Sequence, residues 1–236
     1  MPAGEAERVQ LRYGLSRCPL FNDLPPEYLE KILSAARFVR AARKETLFAE
    51  GTPSRGFYVI LSGQVKVFKT GPEGKAQVLH ILGAPASFAE ASLFMPHYPA
   101  TAQALRGTQL AFIDRRLFLR LAEKDIRLLL AIIASLSRWL GLMAERIESL
   151  TLRSASGRLA AYVLSLRAEA GPGALGRAGT LRSPLSKTGL AGLLGTTKET
   201  ISRTLNKLAR SKVLLFRGRE LRILDAAKLE RIAAGG

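Results

Sequence analysis

The chain has 236 residues and a formal net charge of +17, and 47% of its residues are hydrophobic. This is enough to bury the core of one large domain or of two small ones. A single cysteine, Cys18, excludes an internal disulfide framework and any four-thiolate zinc or iron–sulfur site within one chain.

The sequence carries no signal-peptide pattern at its start. No uninterrupted apolar run approaches the ~18 to 20 residues of a membrane span. These two features predict a soluble, cytoplasmic protein without a membrane partner. Cys18, as a lone thiol, is expected to be a small buried residue.

Positive charge is concentrated in the last third of the chain. Residues 154–236 hold fifteen Lys/Arg and five Asp/Glu, a net charge of +10, and the other +7 is spread over nearly twice that length. A basic unit of this kind favours a polyanionic partner, and double-stranded DNA is the first candidate. A membrane surface is the weaker alternative, because no basic amphipathic segment stands apart from a fold.

The first half of the chain changes from a helical to a strand-like pattern. After a short helical stretch within residues 1–24, a helix is predicted from Pro26 to Ala36. From Thr46 the apolar residues alternate, and glycines separate the segments. Seven short strands are predicted, at residues 46–50, 56–62, 64–70, 76–82, 87–93, 101–105 and 108–114. Such regular short strands are typical of a small antiparallel barrel or jelly roll.

A short helix, Arg116 to Ala122, precedes a long one from Ile126 to Leu150. The long helix carries an apolar seam with gaps of three and four residues, which is the pattern of a parallel two-helix coiled coil. The seam consists of Ile126, Leu129, Ile133, Leu136, Leu140, Met143, Ile147 and Leu150. A homodimer is therefore expected, and the alternative is a long core helix of a monomer. The neighbouring apolar positions that should face the chain's own core are Leu130, Ala131, Ala134 and Ala144.

The C-terminal unit contains the most specific pattern in the sequence. A helix from Gly157 to Glu169 and a Gly/Pro-rich stretch from Gly171 to Thr180 come first. Two helices, at 186–194 and 198–210, are then predicted around a tight turn at 195–197, and two strands, 213–216 and 221–224, follow as a hairpin wing. This is a winged helix-turn-helix, whose second helix enters the major groove.

Side chains at the start of the second helix are the candidate readers of DNA bases. Arg203 can pair with the O6 and N7 atoms of guanine, Glu199 can accept from cytosine N4, and Ser202 can reach either strand. A surface ion pair between Glu199 and Arg203 is the plainer alternative, worth only a few tenths of a kcal/mol. Arg217 and Arg219 of the wing are expected at the phosphate backbone. The other expected contacts are Thr197, Lys198, Asn206 and Lys207.

A barrel, a long dimer helix and a winged helix-turn-helix in this order resemble the Crp/Fnr family of bacterial transcription regulators. The resemblance implies an α+β protein with a cyclic-nucleotide-binding-like barrel domain at 1–124, a dimerisation helix at 125–153 and a DNA-binding domain at 154–236. Residues 196–203 are similar to the Glu-x-x-Ser-Arg signature of the Fnr branch, which implies an inverted repeat of TTGA half-sites. Lys198 is closer to the Crp branch, so a TGTGA half-site stays open. RNA polymerase is the implied protein partner.

The resemblance also bears on the effector that the barrel would bind. Crp-type members hold cyclic nucleotide with Gly-Glu and Arg-Ser/Thr pairs, and the matching positions here are Ala89-Glu90 and Ala100-Thr101. Without the arginine a buried phosphate would lack its counter-charge, which argues against cyclic AMP. The cysteine cluster of Fnr is also absent, which argues against an iron–sulfur cluster.

Residues 88–96 and 100–104 are similar to the dissimilatory nitrate respiration regulators, and that similarity implies nitric oxide sensing through haem in an apolar pocket that includes Phe88. His80 and His97 are the two histidines that could ligate haem iron. A lone histidine on a strand is more often a packed or surface residue, and Met95, Tyr98 and the N-terminal amine are further candidate ligands.

Two other classes of function compete with an effector-controlled regulator. An enzyme is disfavoured because no nucleophile, base and orienting group come together in the sequence. A ligand-independent DNA-binding protein stays open, because Ala89 and Ala100 are also compatible with a closed barrel. In an effector-controlled regulator, the barrel would shift the packing of the long helix pair and move the hinge at residues 153–157.

Overall fold

The computed structural model describes residues 4–21, 24–170 and 180–235, apart from the side chains of Arg146 and Glu169. The chain divides into two compact units, one that ends at Gly141 and one that begins at Leu142. The division falls within the long helix, whereas the expected domain boundaries were at residues 124 and 153. Those boundaries stay a proposal.

The first unit is built on two antiparallel four-stranded sheets with the strand orders β1-β8-β3-β6 and β2-β7-β4-β5. Its strands are β1 (Ala36–Ala41), β2 (Thr46–Phe48), β3 (Gly56–Ser62), β4 (Gln64–Thr70), β5 (Ala76–Gly83), β6 (Ser87–Phe88), β7 (Thr101–Ala104) and β8 (Thr108–Asp114). The helices α1 (Glu5–Ser16), α2 (Pro26–Ala35) and α3 (Arg115–Ala122) and a 3₁₀ helix (Glu90–Leu93) complete it, together with the first part of α4 (Ile126–Leu152).

Two hydrophobic cores lie on opposite faces of the first sheet. Tyr58 and Ile60 of β3 belong to the core between the sheets, while Phe57 and Val59 belong to the core beneath the helices. Successive side chains of a strand point to opposite faces, so a strand buried on both sides must be apolar throughout. This explains the continuous apolar run of β3.

The predicted jelly roll is confirmed, with local differences of which two stand out. The strand predicted at 87–93 is wrong beyond Phe88, because Ala89 adopts a left-handed backbone (φ 67°) that ends the strand and begins the 3₁₀ helix. The helix predicted to Ala36 ends at Ala35, since Ala36 pairs with Ile113 as the first residue of β1. Cys18 is buried, as expected.

Helix α4 starts beside Asp125, whose carboxylate accepts from the backbone N–H of Arg127 at 2.8 Å. The helix is long and apolar enough to cross a membrane by length and composition alone. The sequence prediction concerned uninterrupted apolar runs, and Arg127 and Arg138 interrupt the apolar residues of this helix. The evidence for a membrane span is nevertheless weak, because core helices of soluble proteins pass the same test and Leu128 and Ile132 are fully buried.

The second unit comprises the end of α4, α5 (Ala155–Ala170), β9 (Thr180–Arg182), α6 (Lys187–Leu193), α7 (Lys198–Arg210), β10 (Leu214–Arg217), β11 (Glu220–Ile223) and α8 (Ala226–Ala234). The wing is a three-stranded sheet in the order β10-β11-β9, so β9 adds a strand to the predicted hairpin. Residues 171–179 of the predicted Gly/Pro-rich stretch lie outside the described residues. Helix α8 packs on α5 and was not predicted.

Candidate nucleic-acid interface and effector region

The two helices of the predicted helix-turn-helix are held by caps at their starts. Ser186 accepts through Oγ from the N–H of Gly189, and Thr197 accepts from the N–H of Thr200, both at 3.2 Å. Gly195 in the turn has a φ of 59°, a backbone conformation that an L side chain rarely adopts. The two helices pack against each other, and their buried leucine and isoleucine residues are Leu190, Leu194, Ile201, Leu205 and Leu208.

The start of α7 presents a polar surface. Ser202 is half-buried, and the other predicted contact residues of this helix and its cap are exposed, namely Thr197, Lys198, Glu199, Arg203, Asn206 and Lys207. Within the described chain, the ion pairs closer than 4 Å do not include the one between Glu199 and Arg203 that the spacing suggested. The Arg203 guanidinium instead donates to the Thr200 hydroxyl at 3.4 Å.

Hydrogen bonding near the helix start lowers the pKa of Glu199. Its carboxylate accepts from its own backbone N–H and from the Thr197 hydroxyl, and Lys198 and Arg203 add favourable charge. Both effects favour the ionised form. Glu199 therefore presents an acceptor of hydrogen bonds at neutral pH, as pairing with cytosine N4 requires.

The two arginines of the wing differ in their surroundings. Gly218 takes a φ of 62° at the tip of the hairpin, beside the exposed Arg217. Arg219 is half-buried, and its Nη1 donates to the Pro184 carbonyl at 3.1 Å. Arg217 is therefore the better placed of the two to meet a phosphate, while Arg219 holds the wing to the segment before α6.

Glu90 and Thr101, which match positions of the family's cyclic-nucleotide site, form hydrogen bonds within the protein. Glu90 is 2% exposed, and its Oε1 accepts from the hydroxyls of Ser87 at 2.6 Å and Ser135 at 3.1 Å. Ala100 is buried where the resemblance places an arginine, and the hydroxyl of Thr101 accepts from the Glu50 N–H at 3.0 Å. The carboxylate that the resemblance assigns to cyclic nucleotide binding is thus directed to α4, a partner that the sequence pattern did not reveal.

Aromatic rings stack on one another between the two sheets. Phe48 stacks on Tyr98 with ring centroids 3.9 Å apart, and Tyr58 stacks on Phe88 at 5.3 Å. The Tyr98 hydroxyl donates to the Gly56 carbonyl at 2.8 Å, which anchors the loop before β7. Burial raises the pKa of Tyr58 to about 12, so it is a neutral hydroxyl at physiological pH.

The two candidate haem ligands lie in different surroundings. His80 of β5 pairs with Val67 of β4, and its ring centroid lies 4.2 Å from that of Trp139 on α4. His97 is exposed and forms an isolated bridge with Pro53. Among the described residues, no group of three or more His, Cys, Asp and Glu side chains is arranged to hold a metal ion.

Five of the eight predicted seam residues of α4 are solvent-exposed in the single chain. Ile126, Ile133, Leu140 and Ile147, spaced by seven, are 57–72% exposed. Leu129 and Leu136 instead pack partly against the first unit's core, while Met143 is half-buried and Leu150 is 39% exposed.

The residues that face the chain's own core differ from the expected set. Ala131 packs there, but Leu130, Ala134 and Ala144 are exposed, contrary to expectation. Leu128 and Ile132 anchor the helix instead. The exposed stripe of α4, which consists of Ile126, Ile133, Leu140 and Ile147, is consequently rotated relative to the predicted seam.

Two protein-family models match the chain, a cyclic nucleotide-binding domain at residues 38–125 and a Crp-like helix-turn-helix domain at residues 157–232. The cyclic AMP receptor protein of Thermus thermophilus is 30% identical over 218 residues, which cover 92% of this chain and 97% of that protein. The chain belongs to the Crp/Fnr family of transcription regulators. It is a DNA-binding regulator and not an enzyme.

Other members of the Crp/Fnr family support the same conclusion. The nitrogen fixation regulation protein FixK of Bradyrhizobium diazoefficiens is 30% identical over 213 residues, which cover 90% of this chain and 89% of that protein. The structure of FixK2 from Bradyrhizobium japonicum matches with a TM-score of 0.72 and 23% identity, covering 85% of this chain and 98% of that one, and shows the same fold. These comparisons establish the family and not the nitrate respiration branch.

Proposed function

We propose that this Crp/Fnr regulator binds, as a cytoplasmic homodimer, an inverted repeat of TTGA-type half-sites and acts there with RNA polymerase. The observation that carries this proposal is the exposed start of α7, where the Glu199 carboxylate and the Arg203 guanidinium stand one turn apart. Their acceptor and donor groups suit cytosine and guanine edges in the major groove. The surrounding basic unit supplies the attraction to phosphate that orients the protein.

Two copies are proposed because the exposed stripe of α4 repeats every seven residues. A seven-residue apolar repeat favours left-handed pairing of two helices, and a twofold axis between them presents two recognition helices to one duplex. Such dimers read half-sites about one helical turn apart.

Selection from a pool of randomised duplexes tests the proposed operator. Repeated rounds with the full chain at fixed salt should enrich inverted repeats that contain TTGA. Enrichment of TGTGA half-sites would instead show that the protein prefers the Crp-like half-site, with Lys198 as a further base contact. Recovery of no common sequence, or of single unpaired sites, would contradict the proposal.

The proposed route of control runs from the barrel to α4 through two contacts. Ser135 and Trp139 lie one turn apart on the face of α4 that meets Glu90 of the 3₁₀ helix and His80 of β5. A change in the barrel that repositions either segment would move this part of α4. A coupling of ~1 to 3 kcal/mol is the usual size of such an effect.

The single tryptophan of the chain makes this route measurable, because Trp139 reports on the contact directly. Ser135→Ala removes the α4 hydroxyl from Glu90 and should shift the Trp139 emission and change operator affinity by roughly fivefold or more, in line with coupling energies of that size. The exposed Ser137→Ala is the matched control. Unchanged emission and affinity in Ser135→Ala would exclude this route.

The described barrel does not fit a haem group. Phe48, Tyr58, Phe88 and Tyr98 stack in its interior, the His80 ring is packed against Trp139, and His97 lies outside in an exposed loop. A planar macrocycle would have to displace the aromatic stack. Control by haem-bound nitric oxide therefore gains no support from the structure, and we favour the alternatives of a different small molecule or of ligand-independent binding.

Haemin titration separates these alternatives. We expect no Soret shift when the pure protein is mixed with haemin, and no effect of nitric oxide on operator binding. A sharp Soret band at one haem per chain, lost in His80→Ala, would overturn this conclusion. Equal operator affinity with cyclic AMP, with other candidate effectors and with none would favour the ligand-independent regulator.

A further inference from the structure

Arg158, in the first turn of α5, binds three backbone carbonyls that belong to different parts of the second unit. Its Nε donates to the Leu194 carbonyl at 2.9 Å. Its Nη1 donates to the carbonyls of Arg153 at 2.6 Å and Leu150 at 3.3 Å. One guanidinium thereby connects the end of α4, the link to α5 and the end of α6.

The chemistry of these carbonyls explains why an arginine occupies this position. Carbonyls at the last turn of a helix lack an N–H partner within the helix and carry the negative end of its dipole. Leu150 lies in the last turn of α4, and Leu194 caps α6. A planar guanidinium has five N–H groups in a fixed fork, so it can satisfy several carbonyls at once, whereas a lysine is a single point of charge.

A second contact holds the same two helix ends together. A Cβ atom placed on Gly195 would lie 2.7 Å from Cδ2 of Leu150, so the side chain of Leu150 rests directly on the turn between α6 and α7. Gly195 is also the turn residue with the left-handed backbone. The end of α4 therefore meets the end of α6 through Arg158, and it meets the turn before the recognition helix through Leu150.

We propose that Arg158 is a positioning residue that fixes the recognition helix to the end of α4 and thereby sets the spacing of the two DNA half-sites. This inference rests on the proposed homodimer that reads an inverted repeat. In that dimer the paired α4 helices set the distance between their own ends, and Arg158 transfers that distance to the two α7 helices. Loss of Arg158 leaves each recognition helix able to bind its half-site. The distance between the two recognition helices is then no longer fixed.

The test measures how strongly the protein discriminates against operators of the wrong spacing. One base pair inserted between the half-sites moves them apart by about 3.4 Å and rotates one by roughly a tenth of a turn. Wild-type protein should lose at least about tenfold in affinity for such a duplex, since both readers no longer fit at once. Arg158→Ala should bind the two duplexes within about threefold of each other, with its affinity for an isolated half-site unchanged.

Two further variants make the result interpretable. Arg167→Ala removes an exposed arginine from the same helix and should behave as the wild type. Arg158→Lys keeps the charge but loses the fork, so it should relax the spacing preference too, and it provides the test if Arg158→Ala does not fold. Circular dichroism confirms that each variant is folded.

Three other results would contradict the proposed role of Arg158 or the proposed dimer. Folded Arg158 variants that reject the altered spacing as strongly as Arg167→Ala would overturn the inference. An equal loss of affinity for all duplexes, half-site included, would assign Arg158 to phosphate binding and also overturn it. A wild-type protein that binds the half-site and the inverted repeat equally would refute the proposed dimeric reader itself.

Discussion

At the scale of single residues, Arg203 is the side chain through which the proposed regulator would discriminate between bases. It is exposed near the start of α7, and its 3.4 Å hydrogen bond to Thr200 is weak enough to be exchanged for a guanine. Arg203→Ala should cost ~1 to 3 kcal/mol in operator binding and relax the preference at one position of each half-site. Competition binding against duplexes with each base at each position measures this. A uniform loss would show that Arg203 contacts phosphate only.

Arg217 should behave in the opposite way. It is exposed at the tip of the wing, where a guanidinium meets the phosphate backbone and not the base edges. Arg217→Ala should weaken binding to specific and non-specific DNA alike and reduce the slope of log K against log salt by about one. The slope is measured from binding at several salt concentrations. A changed base preference with an unchanged slope would contradict this assignment.

Cys18 is expected to be chemically inert in the folded protein. Burial raises the pKa of its thiol to about 11 from the ordinary value of 9.0. At pH 8 the thiolate is then about one molecule in a thousand instead of about one in ten, and access is blocked as well. Iodoacetamide at pH 8 should modify unfolded protein at least about a hundredfold faster than folded protein, by mass spectrometry. Rapid alkylation of the folded chain would revive a redox role.

Sequence patterns identified the exposed residues of α7 but not their partners. The four-residue spacing of Glu199 and Arg203 places both on one face, yet the rotamers of such long side chains select other neighbours. The partners of Glu90 were also unpredictable, because Ser87 and Ser135 approach it only in the folded first unit. The likeness to the family suggested a ligand for this carboxylate, whereas the structure gives it a contact with α4.

At the scale of whole elements, α4 has two different faces. Leu128, Ile132 and Ser135 are buried in the chain's own core, and Ile133 and Leu140 are exposed. The heptad pattern predicted the exposed positions, because they repeat every seven residues. It could not assign the half-buried positions between them, since these depend on how α4 docks on the barrel.

A single charge in the exposed stripe should separate the proposed dimer. Leu140 is 72% exposed in the single chain, so its apolar area becomes buried only if a second copy covers it. Leu140→Asp would place a carboxylate in that apolar contact, and an unpaired buried charge is costly. Sedimentation should show mostly monomer, with the folded state of each chain kept.

The matched control for this variant is Ala134→Asp. Ala134 is also exposed on α4, about 100° round the helix from the neighbouring stripe residue Ile133, and its acidic variant should stay dimeric. An intact Leu140→Asp dimer would show that the stripe is not the interface. Equal dissociation of both variants would show that charge anywhere on α4 suffices.

The elements of the wing and barrel show where periodicity succeeds and where it fails. Strands β4 and β8, which glycine or turn residues separate from their neighbours in the sequence, were predicted with their exact ends. The strand predicted after Phe88 failed because the backbone reverses at Ala89, and an alanine gives no sign of a positive φ. Strand β9 has three residues, too few for a periodic signal, and forms because β11 pairs with it.

At the scale of the whole molecule, helix α4 takes part in three arrangements. Glu90 and His80 hold α4 to the barrel, the exposed stripe of α4 offers a surface to a second copy, and Arg158 holds the end of α4 to the helix-turn-helix. Each arrangement can be tested by one of the variants proposed above. In the proposed mechanism, α4 is therefore the element that connects the state of the barrel to DNA binding.

The most direct test of this account is the stoichiometry of the protein on DNA, measured by sedimentation of the full chain with a duplex that carries the selected inverted repeat. We predict one complex of two chains per duplex, and an affinity at least about tenfold higher than for the isolated half-site at the same salt concentration. A complex of one chain per duplex, with equal affinity for the repeat and the half-site, would contradict it.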